Sequence, residues 1–305
     1  MLHRILVPLD GSYLSRGILP QVKRLLTPGL DVRIFLVLIP PSVVEGHHTR
    51  IARIHAAEQA LISACNDVSA LGATAEAHVV VGDPTASILE FADQYQPDLI
   101  AMFSHCRSGF GHWRWGSVTE RLLRQSEHPV LVVSPSSITD RQDRNELAFK
   151  KILIPLDGSD RAEEVIPLTQ KVAWLDDSEI ILLYADWLQG MPKLKKGHVA
   201  NKGEEYLATV GARLKKEGHQ VTLKPVFGDA ATAIHTFAEV EEIDLIAMTT
   251  HGRSGIPRWY YGSVAEKILR TSPCPVLVKR TVQREPRNML PQTEEKAGRQ
   301  AAAKQ

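Results

Sequence analysis

Short apolar runs alternate along this chain with longer stretches whose apolar positions recur every three or four residues, and the whole alternation occurs twice. In the first half, strands are predicted at residues 4–9, 32–39, 75–81, 98–104 and 129–134. Helices are predicted at 12–26, 49–71, 84–95 and 117–126; the second of these carries Ile51, Ile54, Ala57 and Leu61 at helical spacing. The runs are rich in Val, Ile and Leu and do not alternate with polar residues, as expected of parallel strands buried on both faces. The helix boundaries carry their own signals. Ser12 and Ser117 suit N-caps or first turns, Pro84 sits where a missing N–H costs little, and Gly72 suits a C-terminal stop. In the second half, strands are predicted at 151–156, 179–185, 220–227, 244–250 and 275–280.

The duplication is literal at several places, at an offset of about 146 residues. RILVPLDGS at 4–12 returns as KILIPLDGS at 151–159, and VVGDPTASILEFADQYQPDLIAM at 80–102 returns as VFGDAATAIHTFAEVEEIDLIAM at 226–248. The expected fold class is α/β: a tandem repeat of two doubly wound, five-stranded parallel sheets. The expected division is a first domain at 1–134, a polar linker at 135–150, a second domain at 151–280 and a tail at 281–305 without hydrophobic period. The closing runs HPVLVVS and CPVLVKR would leave apolar sheet edges exposed, so the two domains are expected to pair through them as an intramolecular pseudo-dimer. Further self-association of two chains into a homodimer is an additional expectation.

Composition narrows the partners. Of 305 residues, 36 are basic and 35 acidic, so a net charge of +1 gives no general attraction to nucleic acid or anionic lipid. The longest apolar stretch, IFLVLIPPSVV, is broken by two prolines and is too short to span a membrane. The first residues already read as strand and turn, leaving no room for a signal peptide. The three cysteines, Cys65, Cys106 and Cys274, lack CxxC spacing and suit a reducing, cytoplasmic setting.

The chemistry is expected where the first and fourth strands of each half end, because ligands of doubly wound sheets bind outside the carboxyl ends of strands at the switch in strand order. The first strand is followed by Asp10 or Asp157 in PLDGS; the fourth is followed by SHCRSGFGHWRWGSV or THGRSGIPRWYYGSV. A glycine-containing loop entering a helix, as at Gly116–Ser117–Val118 and Gly262–Ser263–Val264, offers N–H groups and a positive dipole end to phosphate. A carboxylate on the neighbouring loop suits a ribose hydroxyl. Together these describe a nucleotide site. No GxxxxGK[ST] occurs, and no GxGxxG follows the first strand. Each group has a plainer reading: the aspartates as turn and cap residues, His105 and His251 as loop packing, His47 and His48 as an exposed loop pair, Cys106 as a bystander thiol, and the Trp/Tyr residues at 113–115 and 259–261 as packing.

These motifs in this order resemble the universal stress protein family, with two such domains in one chain. The resemblance implies a flavodoxin-like or adenine nucleotide alpha hydrolase-like fold and, in the nucleotide-binding subgroup, ATP held by a loop reading Gly, two residues, Gly, nine residues, Gly-Ser or Gly-Thr. In the second half, Gly252, Gly262 and Ser263 match that pattern and Thr249 replaces its first glycine. Asp157 would then meet ribose or adenine, Ala185 the base, and Gly252, Arg253, Ser263 and Val264 the phosphates. The first-half positions are Asp10, Leu38, Arg107, Gly116, Ser117 and Val118; there Phe103 and Cys106 replace two glycines. A Cβ where backbone must approach phosphate or take positive φ costs about 1 kcal/mol, so the second half is expected to be the working site. The implied function is a stress-response regulator that binds ATP, alone or with Mg2+, and an unidentified protein partner. A slow ATP hydrolase and a nucleotide-independent interaction module with vestigial sites are the alternatives.

Overall fold

The computed structural model describes residues 1–12, 14–26, 33–38, 47–70, 72–104, 116–137, 148–173, 178–186, 198–250 and 262–281. The first half contributes strands β1 (Arg4–Leu9), β2 (Arg33–Leu38), β3 (Thr74–Val79), β4 (Leu99–Phe103) and β5 (Val130–Val133). The second contributes β6 (Lys151–Leu156), β7 (Glu179–Asp186), β8 (Gln220–Phe227), β9 (Leu245–Thr249) and β10 (Val276–Lys279). The helices are α1 (Leu19–Lys23), α2 (His47–Ala70), α3 (Pro84–Tyr95), α4 (Ser117–Gln125), α5 (Asp160–Glu163), α6 (Ile166–Val172), α7 (His198–Lys216), α8 (Ala230–Val240) and α9 (Ser263–Thr271).

The strands form one ten-stranded sheet in the order β3-β2-β1-β4-β5-β10-β9-β6-β7-β8. Within each half every pairing is parallel. The halves join by antiparallel pairing of β5 with β10, with Leu277 opposite Leu131. Each half is thus a doubly wound parallel unit, and the apolar closing strands cover one another. The two faces of the sheet carry separate cores that run through both halves: Ile5, Val7, Leu131, Ile152 and Leu277 on one face, Leu6, Val132, Leu153 and Val276 on the other. Strand residues buried on alternate faces explain why these runs read as unbroken apolar sequence.

The structure departs from the sequence reading at three places. The helix expected at 12–26 is a 3-10 turn (Leu14–Ile18) followed by α1, and its counterpart divides into α5 and α6. Pro20 and Pro167, each at the first turn of the later segment, start a new helix more easily than they continue one. Helix α2 begins at His47, so His47 and His48 lie on a helix rather than in a loop. The run expected as polar linker ends in two buried residues, Ala148 and Phe149. The Arg24 guanidinium stacks on the Phe149 ring at 4.3 Å and donates to the Ala148 carbonyl at 3.1 Å. Of the two roles expected for Ser117, the first turn is the one it takes, with Gly116 as the N-cap of α4.

Candidate functional site

Strands β1 and β4 are neighbours, as are β6 and β9, with β2 or β7 on the other side of the first strand of each pair. The switch in strand order therefore falls where the two motif-bearing loops leave the sheet. After β6 the turn is set by Gly158, at φ +81°, a conformation that favours glycine. This turn folds Asp157 back on the chain: its Oδ1 accepts from the Ser159 amide at 3.0 Å and the Ser159 hydroxyl at 2.6 Å. Ser159 Oγ in turn caps α5 by accepting from the Ala162 amide at 3.2 Å. The structural role weighed for Asp157 is therefore present, and it fixes the carboxylate at the mouth of the sheet.

A cavity of about 230 Å³ opens there, bounded by Asp157, Ala185, Thr249, Gly262, Ser263 and Val264, with Leu183, Ile234 and Met248 as apolar wall. All six sequence-derived residues of the second half that lie among the described residues border this one space. Gly252 and Arg253 lie outside them. Gly262 caps α9 without a side-chain hydrogen bond, so the first-turn amides of the helix meet the cavity under the positive end of its dipole. The Gly262 amide donates to the Thr250 carbonyl at 2.9 Å. Its φ is −63° and a Cβ there would sit 3.5 Å from that carbonyl oxygen. Glycine is thus not required by the backbone conformation at this position, and a Cβ would make ordinary contact with that oxygen.

The apolar wall and Thr250 were not singled out in the sequence. Ile234 lies on α8, whose N-cap Asp229 accepts from the Thr232 amide at 2.9 Å; the GDP and GDA turns signal that helix but not which of its side chains reach the site. Behind the site, burial, then the Glu163 and Asp157 carboxylates, push the Tyr206 phenol well above its usual range. Tyr206 also lies 6.1 Å, ring to ring, from Tyr184 of β7.

In the first half the Asp10 carboxylate accepts from the Ser12 amide at 2.9 Å and is exposed, whereas Asp157 is half-buried. Ser117 and Val118 open α4, as Ser263 and Val264 open α9. Leu38 requires a correction. Leu9 pairs with Leu38 and Leu156 with Tyr184, so the counterpart of Leu38 is Tyr184, and that of Ala185 is residue 39, outside the described residues. The single-residue length difference between the halves falls before β2, and a constant count from the first strand misses it. Arg107 and Cys106 also lie outside the described residues. Phe103, at the end of β4, is 5% exposed and belongs to the core.

Among the described residues no group of three or more His, Cys, Asp or Glu is placed to hold a metal ion. Among them, too, no helix is long and apolar enough to cross a membrane.

Fold and site together define a doubly wound α/β protein with a cavity at the switch point of its second half. The model of the universal stress protein family matches twice, at residues 1–134 and 148–280, and the chain belongs to that family. It is 32% identical over 148 residues to universal stress protein MJ0531 of Methanocaldococcus jannaschii, covering 46% of this chain and 87% of that one. It is 30% identical over 152 residues to universal stress protein MJ0577 of the same organism, covering 43% and 94%. The crystal structure of a universal stress protein from Archaeoglobus fulgidus superposes with a TM-score of 0.69 at 23% identity, covering 91% of this chain and 98% of that one. That likeness bears on the fold, which is shared across both halves.

Proposed function

We propose that this universal stress protein binds ATP in the cleft of its second half and works as a nucleotide-responsive regulator rather than as a catalyst. The observation that carries the reading is that one cavity is bordered both by Asp157 and by the N-terminus of α9. The residues fit the parts of the nucleotide. The wall of Ala185, Leu183 and Ile234 is apolar and suits a base, and Ala185 presents only a methyl group to it. Asp157 is an acceptor for ribose hydroxyls. The uncapped first turn of α9 offers N–H groups to phosphate, an interaction worth about 0.3–1 kcal/mol for each favourable charge at an exposed helix end and more when partly buried. At about 230 Å³ the enclosed space is smaller than the ~300–1,000 Å³ of pockets that engulf a drug-sized ligand, so it suits the nucleoside, with the phosphates lying across the helix end. A Mg2+ ion would arrive on the phosphates, where it would neutralise their charge.

The test is the nucleotide content of the protein purified without added ligand, denatured and resolved by ion-exchange chromatography. Retained adenine nucleotide in the wild type, lost from Gly262→Val but not from Gly116→Val, supports the assignment. Equal retention by both variants would place the nucleotide elsewhere.

A further inference from the structure

The two site helices end at the seam between the halves, and each is gripped there by the other half. Arg280, directly after β10, donates through Nη1 to the Gln125 carbonyl at the end of α4, at 3.1 Å. Ser136, in the turn after β5, donates to the Ser272 carbonyl at the end of α9, at 3.3 Å. A guanidinium at the negative end of a helix is the stronger of these grips.

On the second-half side, Arg280 is tied to the cavity through Thr250. The Thr250 carbonyl accepts from the Gly262 amide at 2.9 Å, the Thr250 amide donates to the Lys279 carbonyl at 3.0 Å, and the Thr250 hydroxyl accepts from the Thr281 amide at 3.3 Å. Thr250 borders the cavity and is 1% exposed. One buried residue thus holds the cap of α9 on one side and, on the other, the segment 279–281 that carries Arg280. The chain of contacts runs from the cavity to the last turn of α4, whose first turn holds Ser117 and Val118, the counterparts of Ser263 and Val264.

We propose that ligand occupancy of the second-half cavity is transmitted to α4 of the first half through a Thr250–Arg280 latch. This rests on the nucleotide reading of that cavity. A ligand seated against Thr250 and the α9 cap favours the arrangement in which segment 279–281 is held, and with it the docked position of Arg280. A coupling of this kind extends only as far as the ligand's preference for the latched arrangement. The first half then reports on the second without having to bind nucleotide itself.

The test is hydrogen–deuterium exchange of the full chain, with and without ATP and Mg2+, read by mass spectrometry on peptides covering 117–126 and 263–272. In the wild type, ATP is expected to slow exchange in both peptides. In Arg280→Ala, the 117–126 peptide exchanges about two- to fivefold faster without ligand, as loss of a cation at a helix end implies. In that variant ATP still protects 263–272 and no longer protects 117–126, and Arg280→Lys restores part of the response. Protection of 263–272 alone in the wild type would overturn the latch and leave nucleotide binding standing. Protection of neither, with no heat of binding, would overturn both. Unchanged exchange of 117–126 in ligand-free Arg280→Ala would overturn the latch whatever the ligand does.

Discussion

The two halves make the same ion pair with the charges exchanged. In the first, Arg16 of the 3-10 turn faces Asp67 of α2 at 3.8 Å; in the second, Glu163 of α5 faces Arg213 of α7 at 2.8 Å. The positions correspond: Arg16 and Glu163 each follow their strand-end aspartate by six residues, and Asp67 and Arg213 each precede Gly72 or Gly218 by five. Fixing the first helical layer against the next demands a contact, and either polarity satisfies it. At the carboxyl ends of the strands beside the seam the difference is of another kind. Phe103 and Val133 are apolar and part of the core, whereas Thr249 and Lys279, paired in register at the equivalent ends, are polar. The ion-pair difference between the halves is compensated by a second exchange, while at these strand ends polar residues of the second half stand where the first half has apolar ones.

That contrast can be broken at several points. The largest effect is expected at the seam, where Leu131 and Leu277 are both fully buried and face each other. Leu131→Ala and Leu277→Ala should each cost about 2–5 kcal/mol in urea unfolding, and similar amounts, because the seam treats the halves alike. A smaller difference separates two ion pairs that, among the described residues, cross between the halves. Arg24 meets Asp244 at 2.8 Å with both side chains largely buried, and it also stacks on Phe149; Lys171 meets Asp98 only at 3.8 Å and is half exposed. Arg24→Ala should cost about 2 kcal/mol and Lys171→Ala less than about 1 kcal/mol; equal losses would show that the seam is balanced where the geometry says it is not. Exchanging the second-half pair to the first-half polarity, Glu163→Arg with Arg213→Asp, should restore most of the roughly 0.5–1 kcal/mol lost in either single variant, measured as a double-mutant cycle.

The smallest effect is a pH dependence. The Thr232 hydroxyl and amide, and then Lys267, lower the Asp229 carboxyl to about 2 from 3.8. In the first half the Ala86 amide and Arg121 lower Asp83 as well. A carboxyl depressed by folding stabilises the fold above its unfolded pKa, and that contribution is lost as pH falls through the folded value. Asp229→Asn should therefore lower the melting temperature near neutrality, where the ionised cap contributes, and flatten its fall between about pH 4 and pH 2, the two proteins converging in acid. An unchanged acid limb would mean that the cap is not ionised in the fold.

Much of this architecture is legible in sequence because buried parallel strands write themselves as apolar runs: β1, β6 and β8 and helix α3 fall on their expected limits. The breaks come where local geometry is not periodic. Pro20 and Pro167 divide a helix that the apolar spacing reads as continuous. Ala148 and Phe149 are buried, Phe149 in the core and under a guanidinium from the other half, contacts no local pattern contains. At the site, Asp157 and Gly262 are legible through their turn and cap chemistry, but Thr250 and Ile234 are not, since only the packed sheet decides which faces meet in the cavity. The exchanged ion pair was open to reading once the halves were aligned, as a coupled reversal of two charges.

The most direct measurement is titration calorimetry of nucleotide-stripped protein with ATP and Mg2+, on the wild type and on Asp157→Ala and Asp10→Ala. The expected result is one ATP per chain in the wild type, abolished in Asp157→Ala and little changed in Asp10→Ala. Binding that survives Asp157→Ala and disappears in Asp10→Ala, or a folded wild type that binds no ATP, would contradict the assignment of the second half as the nucleotide site.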